Sequence, residues 1–498
     1  MAARGGAIRA GIRWDLGSTV LTSGLNLVGA LAISYVLARR GAVAAFEPYS
    51  LAKRLAAVAM PILCLGSAAG IVHLVASELN ERARAALLWS AVAAGATVMA
   101  LGTALVIAWP DGIGRLVLGR FDPVLTQAIW LYCCGIAVSA LVYGMYRARF
   151  RQHVANITTT IGTTLGPLLI LVAAPRAWTI STVLGATGVF MVVFGVACLV
   201  RLLSGAQWPS RHLFAVAIRS LLVYSPPRIP AVVLPALSMT VGALIASRSG
   251  STLGASYLLA GMAIIQLAAA AVGPIGVVLL PRMSEMGALG QRETLKRMTS
   301  ALVYVMLAVG LIGTPLALAG TEDLVRAWLG AEFIPAFSVV RVISLALPPV
   351  VAWTLMASIA DSTIRSPITG IASLVDFGVV LAGSVLGASY GPMALAWAFV
   401  AGRWVGAAIL TAVVVRRHHP RVAVVRLCAL GATVTLLCVA LGMLLPASGN
   451  GAPLLALRLA AWIGLGMVAA LAAAQVAPSA LGLPRPFAPR KVAPHGLS

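Results

Sequence analysis

Trp178–Val200, WTISTVLGATGVFMVVFGVACLV, runs for twenty-three residues without a charge and is bracketed by Arg176 and Arg201. At a rise of about 1.5 Å per residue, about twenty apolar residues cross the roughly 30 Å of bilayer hydrocarbon, so this stretch reads as a membrane-spanning helix. Outward from it, thirteen comparable stretches fill almost all of the 498-residue chain: 17–38, 53–77, 86–108, 124–146 and 154–174 before it, and 225–247, 254–280, 298–319, 335–360, 367–388, 392–415, 422–445 and 453–476 after it. Apolar residues make up 60% of the chain and charged residues 10%, the balance of a polytopic membrane protein. The expected fold class is therefore an all-α integral membrane protein with fourteen transmembrane helices. No connector exceeds about thirty residues, which leaves no room for a soluble catalytic domain.

The net charge of +23 is explained by where the charges sit. With the N-terminus inside, 23 of the 36 Lys and Arg fall in segments on the cytoplasmic side, 9 in or beside the outer loops, and 4 within spans. That is the positive-inside pattern, so a multi-pass protein with both termini cytoplasmic is expected, and the basic balance points to anionic membrane lipids and not to nucleic acid. The six cysteines, Cys64, Cys133, Cys134, Cys198, Cys428 and Cys438, all lie inside apolar spans without disulfide or metal spacing and read as small packing residues; no metal and no cofactor is expected. Arg4, Arg9 and Arg13 precede an apolar segment too long for a cleavable signal core.

The chain also echoes itself. Arg40, Tyr49, Ala52 and the pair Ser77 and Glu78 recur about 208 residues later as Arg248, Tyr257, Ala260 and the pair Ser284 and Glu285, and LGRFDP (118–123) recurs as LGAEFIP (329–335). The common offset divides the chain into an N-terminal lobe (1–207, spans 1–6), a C-terminal lobe (208–417, spans 7–12), an added helix pair (418–476, spans 13–14) and a cytoplasmic tail (477–498). Six is even, so both copies enter the membrane from the same side. Two parallel six-helix lobes facing each other across a central cavity make a transporter in which one lobe rocks against the other.

YVLARRGAVAAFEPYSLA (35–52), LGASYLLAGMAII (253–265), LLPRMSEM (279–286) and WLGAEFIPAF (328–337) resemble the polysaccharide transport and O-antigen flippase branch of the multidrug/oligosaccharidyl-lipid/polysaccharide exporter superfamily. The likeness covers spans 1–12, and the total of fourteen spans fits it. The resemblance implies a flippase in the bacterial cytoplasmic (inner) membrane. Its substrate would be an undecaprenyl-pyrophosphate-linked oligosaccharide, moved from the inner to the outer leaflet for exopolysaccharide or O-antigen export beside a glycan polymerase and export machinery. The chain departs from that family at the end of span 7, where an Asp-Arg pair is common and Ser247 and Arg248 stand instead.

Ionisable groups inside spans are costly and mark function by default. A pyrophosphate headgroup calls for cations in a dry site, and Arg offers a planar bidentate fork. The candidates are Arg228, within SPPRIP where Pro226, Pro227 and Pro230 remove backbone donors, Lys53 and Arg54 at the start of span 2, and Arg341 in span 10. The alternative for Arg228 is a guanidinium reaching to cytoplasmic phosphates, and for Lys53 and Arg54 an interfacial anchor. Asp376 lies about 13 Å into span 11 and Arg403 about 16 Å into span 12 from the opposite face, so on antiparallel neighbours the two meet, as a structural ion pair or as a coupling pair. Asn26, Gln266 and Tyr257 are candidates for polar cavity lining or for helix packing.

Three other readings compete. A lipid II flippase of the same superfamily differs mainly in the headgroup. A multidrug or cation antiporter of this fold is expected to have twelve spans and a buried acid in span 1, where this chain has Asn26. An enzyme such as a membrane glycan polymerase needs a substantial outer loop with catalytic Arg or His; the outer loops are short, and the chain has no nucleophile elbow and no Gly-rich phosphate loop, so no enzyme is expected.

Overall fold

In hydrocarbon every backbone N–H and C=O must be satisfied within its own segment, and apolar stretches of this length therefore coil into helices. The computed structural model describes residues 2–480 apart from 67–69, 73, 76, 77, 79, 120, 150, 289, 290, 365, 366, 421–423 and 445–451. Among the described residues there are helices and connectors and no strand. In chain order the helices are α1 (Ala2–Leu63), α2 (Glu81–Ala108), α3 (Pro110–Leu118), α4 (Pro123–Ala148), α5 (Gln152–Ala173, with a π turn at Ile161–Leu165) and α6 (Ile180–Leu203). The second half holds α7 (Arg211–Tyr224), α8 (Ile229–Ser238), α9 (Val241–Arg248), α10 (Thr252–Ala288), α11 (Arg292–Trp328), α12 (Phe337–Ser344) and α13 (Leu347–Thr363). It ends with α14 (Ile368–Gly387), α15 (Pro392–His418), α16 (Val424–Leu444) and α17 (Ala452–Ala480).

Twelve helical segments among the described residues are long and apolar enough to cross a membrane, and the pair Glu332–Ser344 and Leu347–Asp361, bent by 45°, makes a thirteenth. The expected fourteenth is the stretch 53–77: its start belongs to α1, and 67–69, 73, 76 and 77 lie outside the described residues. Outside them too lies 481–498, most of the expected tail.

Contacts along α1 show which helices it packs against. Asn156 donates to Ser18 and Thr19, Thr164 donates to Asn26, and Arg40 donates to the Ala174 carbonyl, so 18–40 runs alongside α5 in the same direction. Further on, the rings of Tyr49 and Tyr132 meet edge to face at 5.9 Å and Cys64 donates to the Ala137 carbonyl, so 49–64 runs with α4, which points the other way. Residues 18–40 of α1 thus lie along α5 and residues 49–64 along α4.

The two ends of the bundle are built differently. At one, the Arg248 end, Gly119 closes α3 at φ 70°, and a Cβ there would lie 2.7 Å from Arg248 Cα, so only glycine fits. One apolar core runs across both sequence halves at this end, joining Leu37, Phe46 and Leu51 to Leu258, Phe333 and Phe399, with the Phe46 and Phe333 rings 5.1 Å apart. At the opposite end, marked by Arg149, there are two further cores, the first of which takes in α7 from the second half. One contains Ile71, Leu88, Met145 and Leu221, and the other contains Val351, Met356 and Leu410. The halves touch there where Gly66, at φ 68°, seats against the Ser225 carbonyl. The connector expected at 208–224 is mostly helix α7, capped by Ser210, whose Oγ accepts from the Leu213 N–H at 3.3 Å; Ala217 and Leu221 bury it in the core of the first half.

Candidate functional site

The segment that sequence reads as one span over 225–247 is broken twice. Pro226–Arg228 forms a 3-10 turn, and α8 ends at Ser238, before α9 begins at Val241. Pro235 withholds a helix donor just upstream of the second break. Ser238 Oγ donates to the Leu234 carbonyl at 3.1 Å and Thr240 Oγ1 to the Ala236 carbonyl at 2.6 Å, the back-bonding that bends helices. The broken turn therefore carries polar atoms into the interior, where a straight helix would present only apolar side chains.

Those atoms meet the deepest charges in the chain. Asp376 on α14 is 0% exposed; its Oδ2 accepts from the Arg403 guanidinium on α15 and from Ser238 Oγ at 2.7 Å, while Oδ1 has no hydrogen-bond partner. Trp353 and Phe399 lie beside the guanidinium at 5.8 and 5.7 Å. The pair can form because α15 presents Gly402 and Gly406 to α14. A Cβ on Gly402 would lie 2.8 Å from the Asp376 carbonyl oxygen, and one on Gly406 would lie 2.8 Å from Asp376 Cβ. Small residues four apart let helix backbones approach in this way.

Arg54 closes in on the same break from the first half. Its Nη1 lies 3.6 Å from the Met239 sulfur, it is 5% exposed, and among the described residues it has no carboxylate partner. Lys53 beside it is exposed, and among the described residues it too lacks a carboxylate partner. A buried cation without a counter-charge costs several kcal/mol, of order 3 or more, and persists where function requires it.

The remaining sequence candidates sit apart from this cluster. Arg228 is exposed and folds back on α7, donating to the Tyr224 carbonyl at 2.5 Å with its guanidinium 3.6 Å from the centre of that ring. Arg341 is exposed and lies over Phe337 at 5.5 Å. Asn26 accepts from Thr164 at 2.8 Å, a bond between α1 and α5; Tyr257 and Gln266 are half-buried on α10.

Sequence reasoning passed over two groups. Glu47 is 2% exposed and accepts from Ser247 Oγ at 3.0 Å, so a carboxylate reaches the end of α9 from α1, beside the position where the resembled family carries its own acid. Asp323 on α11 accepts from Arg458 Nε at 3.0 Å and from Trp462 Nε1 at 2.9 Å, both on α17. Glu47 falls in a stretch that hydropathy assigns to a loop; Asp323 was legible as the continuation of an apolar stripe through Leu324, Val325 and Trp328. Among the described residues no group of His, Cys, Asp or Glu is placed to hold a metal ion.

No protein-family model matches the chain, and no curated protein matches it in sequence. Solved structures do match in shape. The lipid II flippase MurJ in an inward closed conformation aligns over 93% of this chain and 98% of its own, with a TM-score of 0.71 at 13% identity. The likeness is one of fold. A MOP superfamily transporter from Pyrococcus furiosus, described by the reverse polarity of its binding pocket, aligns over 82% of this chain and 95% of its own with a TM-score of 0.60 at 12% identity. An outward-facing multidrug resistance MATE transporter aligns over 82% and 95% with a TM-score of 0.54 at 16% identity. The 93% against 82% of this chain is a difference of about 55 residues, close to the length of α16 and α17 with their connector.

Proposed function

We propose that the chain is a flippase of the bacterial cytoplasmic membrane that carries a polyprenyl-pyrophosphate-linked oligosaccharide from the inner to the outer leaflet. The observation that carries this reading is Arg54, buried against the broken span of the other half without a carboxylate partner among the described residues, with the cation of Lys53 beside it. Two cations without carboxylates suit a pyrophosphate and repel a cationic drug, which speaks against the multidrug antiporter. Arg403 is already held by Asp376 and Arg458 by Asp323, so neither adds to that surplus. The additional coverage by the lipid II flippase supports the same direction. A lipid II substrate is the second reading, because it shares the pyrophosphate and differs in its sugars.

In this proposal the Arg149 end faces the cytoplasm, as the positive-inside pattern requires, and both termini are cytoplasmic. The halves rock as two lobes, closed at the Arg248 end by their common core and separable at the other, where the two cores are distinct. A strain lacking the gene should accumulate lipid-linked repeat units on the inner leaflet and lose the surface glycan before any polymerase acts. Normal surface glycan without accumulation would end the proposal. Lipid II accumulation with the surface glycan intact would select the second reading.

A further inference from the structure

A cavity of about 610 Å³ opens at the Arg149 end, away from the Lys53 and Arg54 pair. Its wall includes the first turn of α2, the end of α4 and the residues just beyond α6, contributing Glu81, Arg82, Arg84, Arg149, Arg151 and Gln207. Four guanidiniums face one carboxylate, an excess of three positive charges. Arg84 is engaged by Glu81 at 2.6 Å, and Arg149 donates to the Leu202 carbonyl at 3.0 Å; Arg82 and Arg151 have no carboxylate partner among the described residues. Partial burial and then the neighbouring charge of Arg151 hold the Arg149 pKa below the usual guanidinium value, so the like charges are close and incompletely hydrated. The positive end of α2 points into the same space.

Depth along the bundle selects the anion. The cavity lies where three spans begin or end, and the neighbouring Trp208, 75% exposed, has its ring 4.5 Å from that of Trp89. Tryptophans of this kind gather at the headgroup level of a bilayer. Val216 and Val223 on α7 are exposed apolar side chains on the helix that packs against α2, a surface suited to acyl chains.

We propose that this cavity docks the phosphodiester headgroup of an anionic phospholipid between Arg82, Arg149 and Arg151, as a site separate from the interior. The test is native mass spectrometry of the full chain released from micelles containing phosphatidylglycerol, phosphatidylcholine or neither. The wild type should retain one phosphatidylglycerol and no phosphatidylcholine. Arg149→Gln with Arg151→Gln should weaken retention by about tenfold or more, since charge-assisted hydrogen bonds contribute about 1.5–3 kcal/mol each. Inorganic phosphate at millimolar concentration should leave the lipid bound. Equal retention of phosphatidylcholine, unchanged retention in the double variant, or displacement by inorganic phosphate would each overturn the proposal, the last by making the cavity a soluble-anion site. If the double variant does not fold, Arg82→Gln, whose side chain is exposed, must show the same loss on a smaller scale. Transport is not read in this experiment, so its outcome is independent of the flippase reading.

Discussion

Asp376 has one carboxylate oxygen doubly engaged and the other bare, and that asymmetry sets what its substitutions do. Asp376→Asn strands Arg403 without a counter-charge in a dry setting and should cost about 3–5 kcal/mol, seen as a lower thermal midpoint in detergent. Asp376→Leu with Arg403→Met should recover most of that loss; if the double variant then transports normally, the pair is structural and has no coupling role. Arg54 predicts the opposite sign. Arg54→Met removes an uncompensated buried cation, so the thermal midpoint should rise while flipping by purified protein in vesicles falls about tenfold or more. A midpoint that falls with it would mean that Arg54 serves packing. The Asp376 and Arg403 pair was legible from the sequence because depth along a span is arithmetic, about 1.5 Å per residue. Glu47 was not legible, since its burial depends on α9 arriving from two hundred residues away.

At the level of elements, hydropathy marked stretches that are helical and misread 225–247 as one unbroken span. A window average over 225–247 cannot register that Pro235 and two back-bonded hydroxyls divide the helix at Met239, nor that the preceding residues already coil. RHLFAVAIRSLLVY carries apolar side chains at Leu213, Phe214, Ala217, Ile218 and Leu221 behind a Ser210 cap, and that period was open to inspection. Helix α17 depends on a different device. Asp323, Arg458 and Trp462 fasten its start to α11, and Tyr304 Oη donates to the Ala473 carbonyl at 2.6 Å near its other end. Arg458→Leu leaves Asp323 with the indole N–H alone. The variant should show a lower thermal midpoint in detergent than the wild type, and an unchanged midpoint would show that apolar packing alone holds α17.

For the molecule as a whole, the common core at the Arg248 end and the separate cores at the other describe a body that can part at one end without disturbing the other. Cysteines in place of Glu47 and Ser247, whose side chains touch, should join on oxidation and stop transport, with recovery on reduction. Transport that continues with the bond formed would exclude opening at that end. The sequence repeat does not say which end of the bundle carries the core common to both halves.

Lys53 and Arg54 have one more consequence, through membrane voltage. A polarised membrane acts on every uncompensated charge that moves within it, by about 2.3 kcal/mol per elementary charge per 100 mV over the full thickness. In the proposed function, a pyrophosphate between them would leave the field little net charge to act on; once it had left, two positive charges would remain, and a cytoplasm-negative potential would draw them inward. Voltage would then reset the empty carrier while leaving the loaded step nearly indifferent. In vesicles clamped with valinomycin and potassium, turnover should rise with inside-negative potential in the wild type, and Lys53→Gln should flatten that rise.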